Sequence, residues 1–203
     1  NGQLRMVDAS AEKGAVAIKA GSLDAQGAVY AGSELKVQTR GDLSNQKTLA
    51  ARDSIQLDSG GKLSNHGIIE AGVNADNSRN PSGDVTLTAQ TLNNNGQSVV
   101  ASCDLTVTAT QSLDNQGGTL SGQRQVTVNA GTLDNQNQGR VLSAASMQLE
   151  AARLLNGQGG LVNSSGQLNA RIGSLNNQQG ELSSLAGLSL QVATLDNVAG
   201  LVT

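Results

Sequence analysis

The sequence predicts an all-β fold, a right-handed parallel β-helix built as a three-sided solenoid of coils of about 20 residues. Three observations carry the prediction. A leucine followed by a short Asx/Gln cluster returns about every twenty residues, an apolar pair alternating at period two follows within each repeat, and the chain holds no Phe or Trp and a single Tyr, Tyr30. A fixed interval of apolar residues means stacked repeats, because one repeat cannot bury its apolar face alone. Without aromatic bulk the core is thin and filled by Leu, Val, Ile and Ala.

The first element of each coil is read from nine copies: Leu23-Asp24-Ala25-Gln26, Leu43-Ser44-Asn45-Gln46, Leu63-Ser64-Asn65-His66, Leu92-Asn93-Asn94-Asn95, Leu113-Asp114-Asn115-Gln116, Leu133-Asp134-Asn135-Gln136, Leu155-Asn156-Gly157-Gln158, Leu175-Asn176-Asn177-Gln178 and Leu195-Asp196-Asn197-Val198. Subtracting successive leucine numbers gives steps of 20, 20, 29, 21, 20, 22, 20 and 20. The residue two after the leucine is Asn45, Asn65, Asn94, Asn115, Asn135, Asn177 or Asn197, with Ala25 and Gly157 as departures. Stacked, these amides form a structural ladder, each able to bond its equivalent one coil away and the corner backbone beside it.

A second inward site follows about six residues later, at Val29, Leu49, Val99, Leu120, Val141, Val162 and Leu182. The third element is the alternating pair, for example Leu35 and Val37, Ile55 and Leu57, Leu105 and Val107, or Val126 and Val128. The residues between, among them Lys36, Gln56, Thr106 and Thr127, are polar, so one face is dry and the other wet. Three inward segments per turn make three walls. Gly, Asn, Asp and Ser between them suit corners and exclude helix.

Parallel strand connections are right-handed in nearly all cases, which sets the expected hand. Left-handed hexapeptide helices need an aliphatic residue followed by Gly every six residues, and leucine-rich repeats need three leucines ahead of the Asn. Neither pattern is present. The step of 29 holds Asn74 to Ser82 and the one proline, Pro81, so residues 74–82 read as an insertion looped out at a corner. Its polar and charged side chains, Asn74, Asp76 and Arg79 with Pro81, make it a candidate interaction loop. Residues 1–203 are expected to be a single segment of a larger protein, with Val16 and Ile18 marking a further coil in the first 22 residues.

A formal net charge of -3 with Lys and Arg scattered singly leaves no positive stripe for a phosphate backbone, so nucleic acid is not an expected partner. No run of eighteen apolar residues is present to span a bilayer, and no basic stretch followed by an apolar segment marks a signal peptide at residue 1. Cys103 has no second cysteine to pair with. The open ends of a stack are unpaired strand edges, and self-association of the isolated segment through them is expected.

Candidate chemistry is sparse. His66 stands in the column filled elsewhere by Gln26, Gln46, Gln116, Gln136, Gln158 and Gln178, and reads as a polar corner residue, since one histidine cannot supply the partners of a metal site or a general base. Cys103 replaces Ser33 or Asp53 of other coils, with no base placed beside it by the register. Asp114 and Asp134 fall in adjacent coils, where Asx-turn capping competes with calcium. Asp42, Lys47, Arg52 and Asp53 form the one local charged cluster, which a polysaccharide-cleaving β-helix enzyme would need gathered on one sheet. No catalytic residue, metal site or cofactor is expected.

The units Leu113-Asp114-Asn115-Gln116-Gly117-Gly118-Thr119-Leu120 and Leu175-Asn176-Asn177-Gln178-Gln179-Gly180-Glu181-Leu182 resemble the haemagglutinin repeat of filamentous-haemagglutinin-type exoproteins, a family of adhesins and contact-dependent growth inhibition filaments. The resemblance covers residues 23 to 203, and more weakly 1 to 22. It implies a non-enzymatic shaft, secreted or held on the outer surface of a Gram-negative bacterium. It also implies export through an outer-membrane transporter partner and contact with a receptor or glycan on a host or neighbouring cell. The alternative is a polysaccharide-binding or polysaccharide-cleaving β-helix enzyme.

Overall fold

Alternation at period two becomes strand wherever the repeat placed it. In Glu34–Thr39 the residues alternate exposed and buried along the whole strand, with Leu35 and Val37 inside and Lys36 outside. The computed structural model describes residues 3–6 and 8–203, and among these every regular element is a β-strand. The strands stack in parallel as a solenoid of ten turns. One sheet of thirteen strands carries the leading leucines together with the alternating pairs, and one of ten strands carries the second inward sites.

Side chains equivalent by the repeat sit on one another. Leu4, Leu23, Leu43, Leu63, Leu92, Leu113, Leu133, Leu154, Leu175 and Leu195 form one continuous column. The coil expected in the first 22 residues is present as strands Gln3–Met6, Ala9–Ala11 and Val16–Ala20. In the seventh of the nine copies the expected register is wrong by one residue. Leu154, not Leu155, pairs with Leu133 and Leu175, while Leu155 pairs with Asp134 and Asn176 on the outer side. The shift places Leu154 inside and lets Asn156, rather than Gly157, occupy the ladder position.

The three walls meet at three corners. Between the alternating pair and the next leucine, the early coils turn through separate strands, Glu34–Thr39 then Leu43–Asn45, and Ser54–Ser59 then Lys62–Asn65. There the Thr39 hydroxyl donates to the Gly41 carbonyl at 2.8 Å and the Ser59 hydroxyl to the same carbonyl at 2.9 Å. From Asp84–Asn93 onward the two walls run on as one bent strand, with the ladder register shifting between Ala89 and Thr91 and between Ala109 and Ser112. A bulge bends a strand without ending it, so the corner survives inside the sheet.

The insertion enters where Ile68–Ala71 ends and Asp84–Asn93 begins, at the corner between the second and third walls. Stacking continues across it unbroken, Ile69 on Val99 and Val85 on Ile55.

Candidate functional site

Each ladder amide is wholly buried from Asn45 to Asn177, at no more than 1% exposed, and each is satisfied. The Asn94 amide donates to the Asn115 oxygen at 2.8 Å, Asn115 to Asn135 at 2.7 Å, Asn135 to Asn156 at 2.8 Å and Asn156 to Asn177 at 2.8 Å. Asn45 to Asn65, Asn65 to Asn94 and Asn177 to Asn197 complete the chain in the same direction. Each amide also reaches backbone carbonyls, as Asn135 does to Gly139 at 3.0 Å and to Leu161 at 3.2 Å. Such groups are costly when left unpaired, and the column leaves none. At its N-terminal end the ladder stops at Ala25, which is fully buried and needs no partner.

A glycine column completes this corner, and the sequence reading did not isolate it. Gly118, Gly139, Gly160, Gly180 and Gly200 each lie against the backbone carbonyl of a ladder asparagine one coil earlier, and a β-carbon at Gly180 would overlap the Asn156 oxygen. The residues that precede them turn left-handed, among them Gly117, Gln138, Gly159, Gln179 and Ala199. The signal was there in the recurrent Gly three or four residues past the Asn.

A second column also went unread. Ala11, Ala31, Ala51, Ala71, Ala101, Gly122, Ser143, Ser164 and Ser184 stack at the end of the second wall. Where it changes to serine, the hydroxyls tie coils together: Ser143 donates to the Arg124 carbonyl at 3.1 Å and Ser164 to the Ala145 carbonyl at 2.6 Å.

The acidic column is a capping column. Asp114 and Asp134 pair one strand spacing apart, and each carboxylate accepts the backbone N–H two residues on, at Gln116 and Gln136, at 3.1 Å. Asn93 and Asn176 do the same in their coils, at 2.9 and 3.1 Å. Burial, then the neighbouring Asp114 charge, holds the Asp134 carboxyl above its ordinary range, against the pull of the Gln136 N–H.

Asp42, Lys47, Arg52 and Asp53 are not gathered. They belong to the three different corners of one coil, before Leu43–Asn45, after it, and after Thr48–Ala51. Asp42 accepts the Lys62 N–H at 2.8 Å, and Arg52 pairs with its own neighbour Asp53 at 2.8 Å, which holds that carboxyl low. His66 is an exposed corner residue.

Cys103 corrects one expectation. Two carboxylates do lie beside it, Asp84 and Asp104, with the thiol and both acids within 4.8 Å of one another. The insertion hid Asp84 from the register. Burial first, and then the Asp84 carboxylate, push the thiol up, which keeps it protonated and a poor nucleophile. Asp104 is engaged by the Arg124 guanidinium and by the Gln125 N–H at 3.0 Å, and sits below its ordinary range.

The insertion is folded down onto the second wall. Tyr30 donates its hydroxyl to the Val73 carbonyl at 3.2 Å, Arg79 pairs with Glu70, and the Asn80 amide donates to the Arg52 carbonyl at 2.9 Å. Inside the loop, Asp76 accepts the Ser78 hydroxyl at 2.6 Å and N–H at 2.9 Å, which holds its carboxyl low. Asn74 donates to the Ser78 hydroxyl at 2.9 Å. Pro81 lines a shallow groove with Val100 and Ser102 on the far side of the loop. Of the four candidate loop residues, Asn74 and Arg79 face the groove on the near side, beside Tyr30, while Arg79 and Pro81 also border the far one.

A family model described as the haemagglutinin repeat matches residues 11–67, 71–117, 104–171 and 153–203. No curated protein and no solved structure matches the chain.

Proposed function

Since the chain belongs to the haemagglutinin-repeat family, we propose that it is a shaft segment of a filamentous exoprotein, secreted or displayed on the cell surface. In this reading the shaft carries an adhesive or toxin-delivering tip outward. The family is a structural and adhesin family whose members are typically secreted or surface-exposed. Passage through an outer-membrane transporter partner, and residence on a Gram-negative surface, are proposed on that membership alone. So is the place of residues 1–203 as one segment of a longer rod.

The observation that carries the reading is the uninterrupted ladder from Asn45 to Asn197, in which every coil presents the next with the same bonding edge. A repeat that satisfies its polar groups only through its neighbours is suited to extension and has no natural length. No such observation favours the enzyme reading, because its four charged residues are spread over three corners.

Deletion of residues 113–132 tests the proposal. Those twenty residues are one coil, since Ser112 pairs with Thr132 and Leu113 with Leu133, and the cut joins equivalent positions. The shortened chain should stay folded by circular dichroism and lose about 4.8 Å of rod length in solution scattering. Global unfolding would overturn the shaft reading. For localisation, an epitope placed between Asp76 and Ser78 of the full-length protein should bind antibody on intact cells, and labelling only after lysis would count against surface display.

A further inference from the structure

We infer that the groove between Tyr30 and the 72–83 loop binds a neutral oligosaccharide, a step that rests on the adhesin reading and gives it a ligand class and a place. The outer face of the second wall is otherwise a plain sheet. Its outward column runs Ser10, Tyr30, Ala50, Glu70, Val100, Ser121 and on. The chain's one aromatic residue lies in this column, outside a core that uses none. The one long insertion folds down beside that same residue and is fastened to it through Val73.

Together they enclose a groove of about 390 Å³, within the roughly 300–1,000 Å³ of small-ligand clefts. Glu12, Tyr30, Thr48, Ala50, Asn74 and Asn77 are among its lining residues. Ala50 faces outward yet is only 7% exposed, as the floor of a groove would be. An aromatic ring over a small apolar floor suits the C–H face of a pyranose, and the amide, hydroxyl and carboxylate groups around it suit vicinal hydroxyls.

Charge selects among sugars. The Arg79 guanidinium is paired with Glu70, and with Glu12 beside them the lining sets one cation against two carboxylates. Sulfated or uronic-acid chains are therefore disfavoured and neutral hexose or N-acetylhexosamine units preferred. The loop is held in place before any ligand arrives by the Asp76, Asn74 and Asn80 hydrogen bonds, which lowers the ordering cost of binding. The Asn77 carboxamide has no partner among the described residues, and its backbone is left-handed at φ 62.

Because Tyr30 is the sole Tyr and there is no Trp, intrinsic fluorescence of this chain reports the groove directly. Titration with lactose, maltotriose and chitotriose, with heparin as the acidic comparison, should give a saturable change for at least one neutral sugar and none for heparin. Asn77→Gly removes the carboxamide while suiting the left-handed backbone, and should weaken that sugar about tenfold with an unchanged melting temperature. Tyr30→Ala, read by calorimetry, should abolish binding. No saturable change with any neutral sugar up to tens of millimolar, a preference for heparin, or equal binding by both variants would each overturn the groove assignment. The shaft reading is judged separately by the coil deletion, which leaves Tyr30 and the loop intact.

Discussion

The Asn135 amide donates to the Asn156 side-chain oxygen at 2.8 Å, in the one coil whose leading leucine is ambiguous in the sequence. Two leucines, Leu154 and Leu155, precede Asn156. Burial decides between them, because a gap in the ladder would leave the Asn135 donor and the Asn177 acceptor facing apolar surroundings, and placing Asn156 in the column satisfies both. The register of a whole coil is thus set by one polar group.

It follows that an interior ladder residue cannot be truncated cheaply. Asn135→Ala takes the donor from the buried Asn156 oxygen and one acceptor from the Asn115 amide, and removes a donor from the carbonyls of Leu161 and Gly139, of which Gly139 keeps the Leu161 N–H. At roughly 1–3 kcal/mol for a buried group left unsatisfied, the loss should be at least about 2 kcal/mol in urea denaturation. Asn135→Asp should cost more at neutral pH, because it buries a charge facing the Asn156 oxygen. A loss below about half a kcal/mol for the alanine variant would show that water replaces the amide.

Two glycines of the ladder corner, Gly180 in the crowded column and Gly96 at the left-handed position equivalent to Gly117, make a contrasting pair. Gly180 has an ordinary φ but no room, since its β-carbon would overlap the Asn156 backbone oxygen. Gly96 has open space around it and a left-handed backbone at φ +66. Gly96→Ala should therefore cost about 1 kcal/mol of conformational strain. Gly180→Ala forces the corner and the ladder apart and should cost clearly more, read as the larger drop in melting temperature. The reverse order would mean that the corner yields more readily than the backbone twists.

Period and alternation made the walls legible, because burial of apolar side chains is a local property of each strand. The seven asparagines read as a ladder all lie in it, for the same reason: a polar residue recurring at an inward position has to find its like. What stayed hidden depends on partners distant in sequence. The loop's path is set by Tyr30 meeting Val73 and by Asn80 meeting Arg52, and no local pattern announces either contact. The repeat register compares Cys103 with its column mates Ser33 and Asp53, whereas its neighbour Asp84 comes from the far end of the insertion. The merging of two walls into one bent strand was equally out of sight, since it turns on the length and bulging of a corner rather than on its residue types.

Inside and outside can be tested at adjacent positions. Val126 is fully buried between Leu105 and Met147, and Thr127 points outward from the same strand. Val126→Lys buries an unpaired charge and should cost several kcal/mol in chemical denaturation. Thr127→Lys, one residue on, should stay within about half a kcal/mol, as surface substitutions do. The opposite ranking would reverse the two faces of the third wall.

The acidic pair gives a prediction with a sign. Asp134 is held above its ordinary 3.8 by burial and then by Asp114 in the neighbouring coil. A carboxyl raised on folding costs stability while it is ionised, so the penalty is present at neutral pH. It fades as pH falls through the folded value and is gone once both states are protonated, below the unfolded value. Asp134→Asn keeps the turn, as Asn93 and Asn176 show by accepting their own N–H groups at 2.9 and 3.1 Å. The variant should be more stable than the natural protein at pH 7 by a few tenths of a kcal/mol, the scale of a screened like-charge pair across strands. At pH 3 the two should be equal. Denaturation at both pH values checks this, and an advantage that persists in acid would show that the carboxylate's charge is not what the substitution relieves.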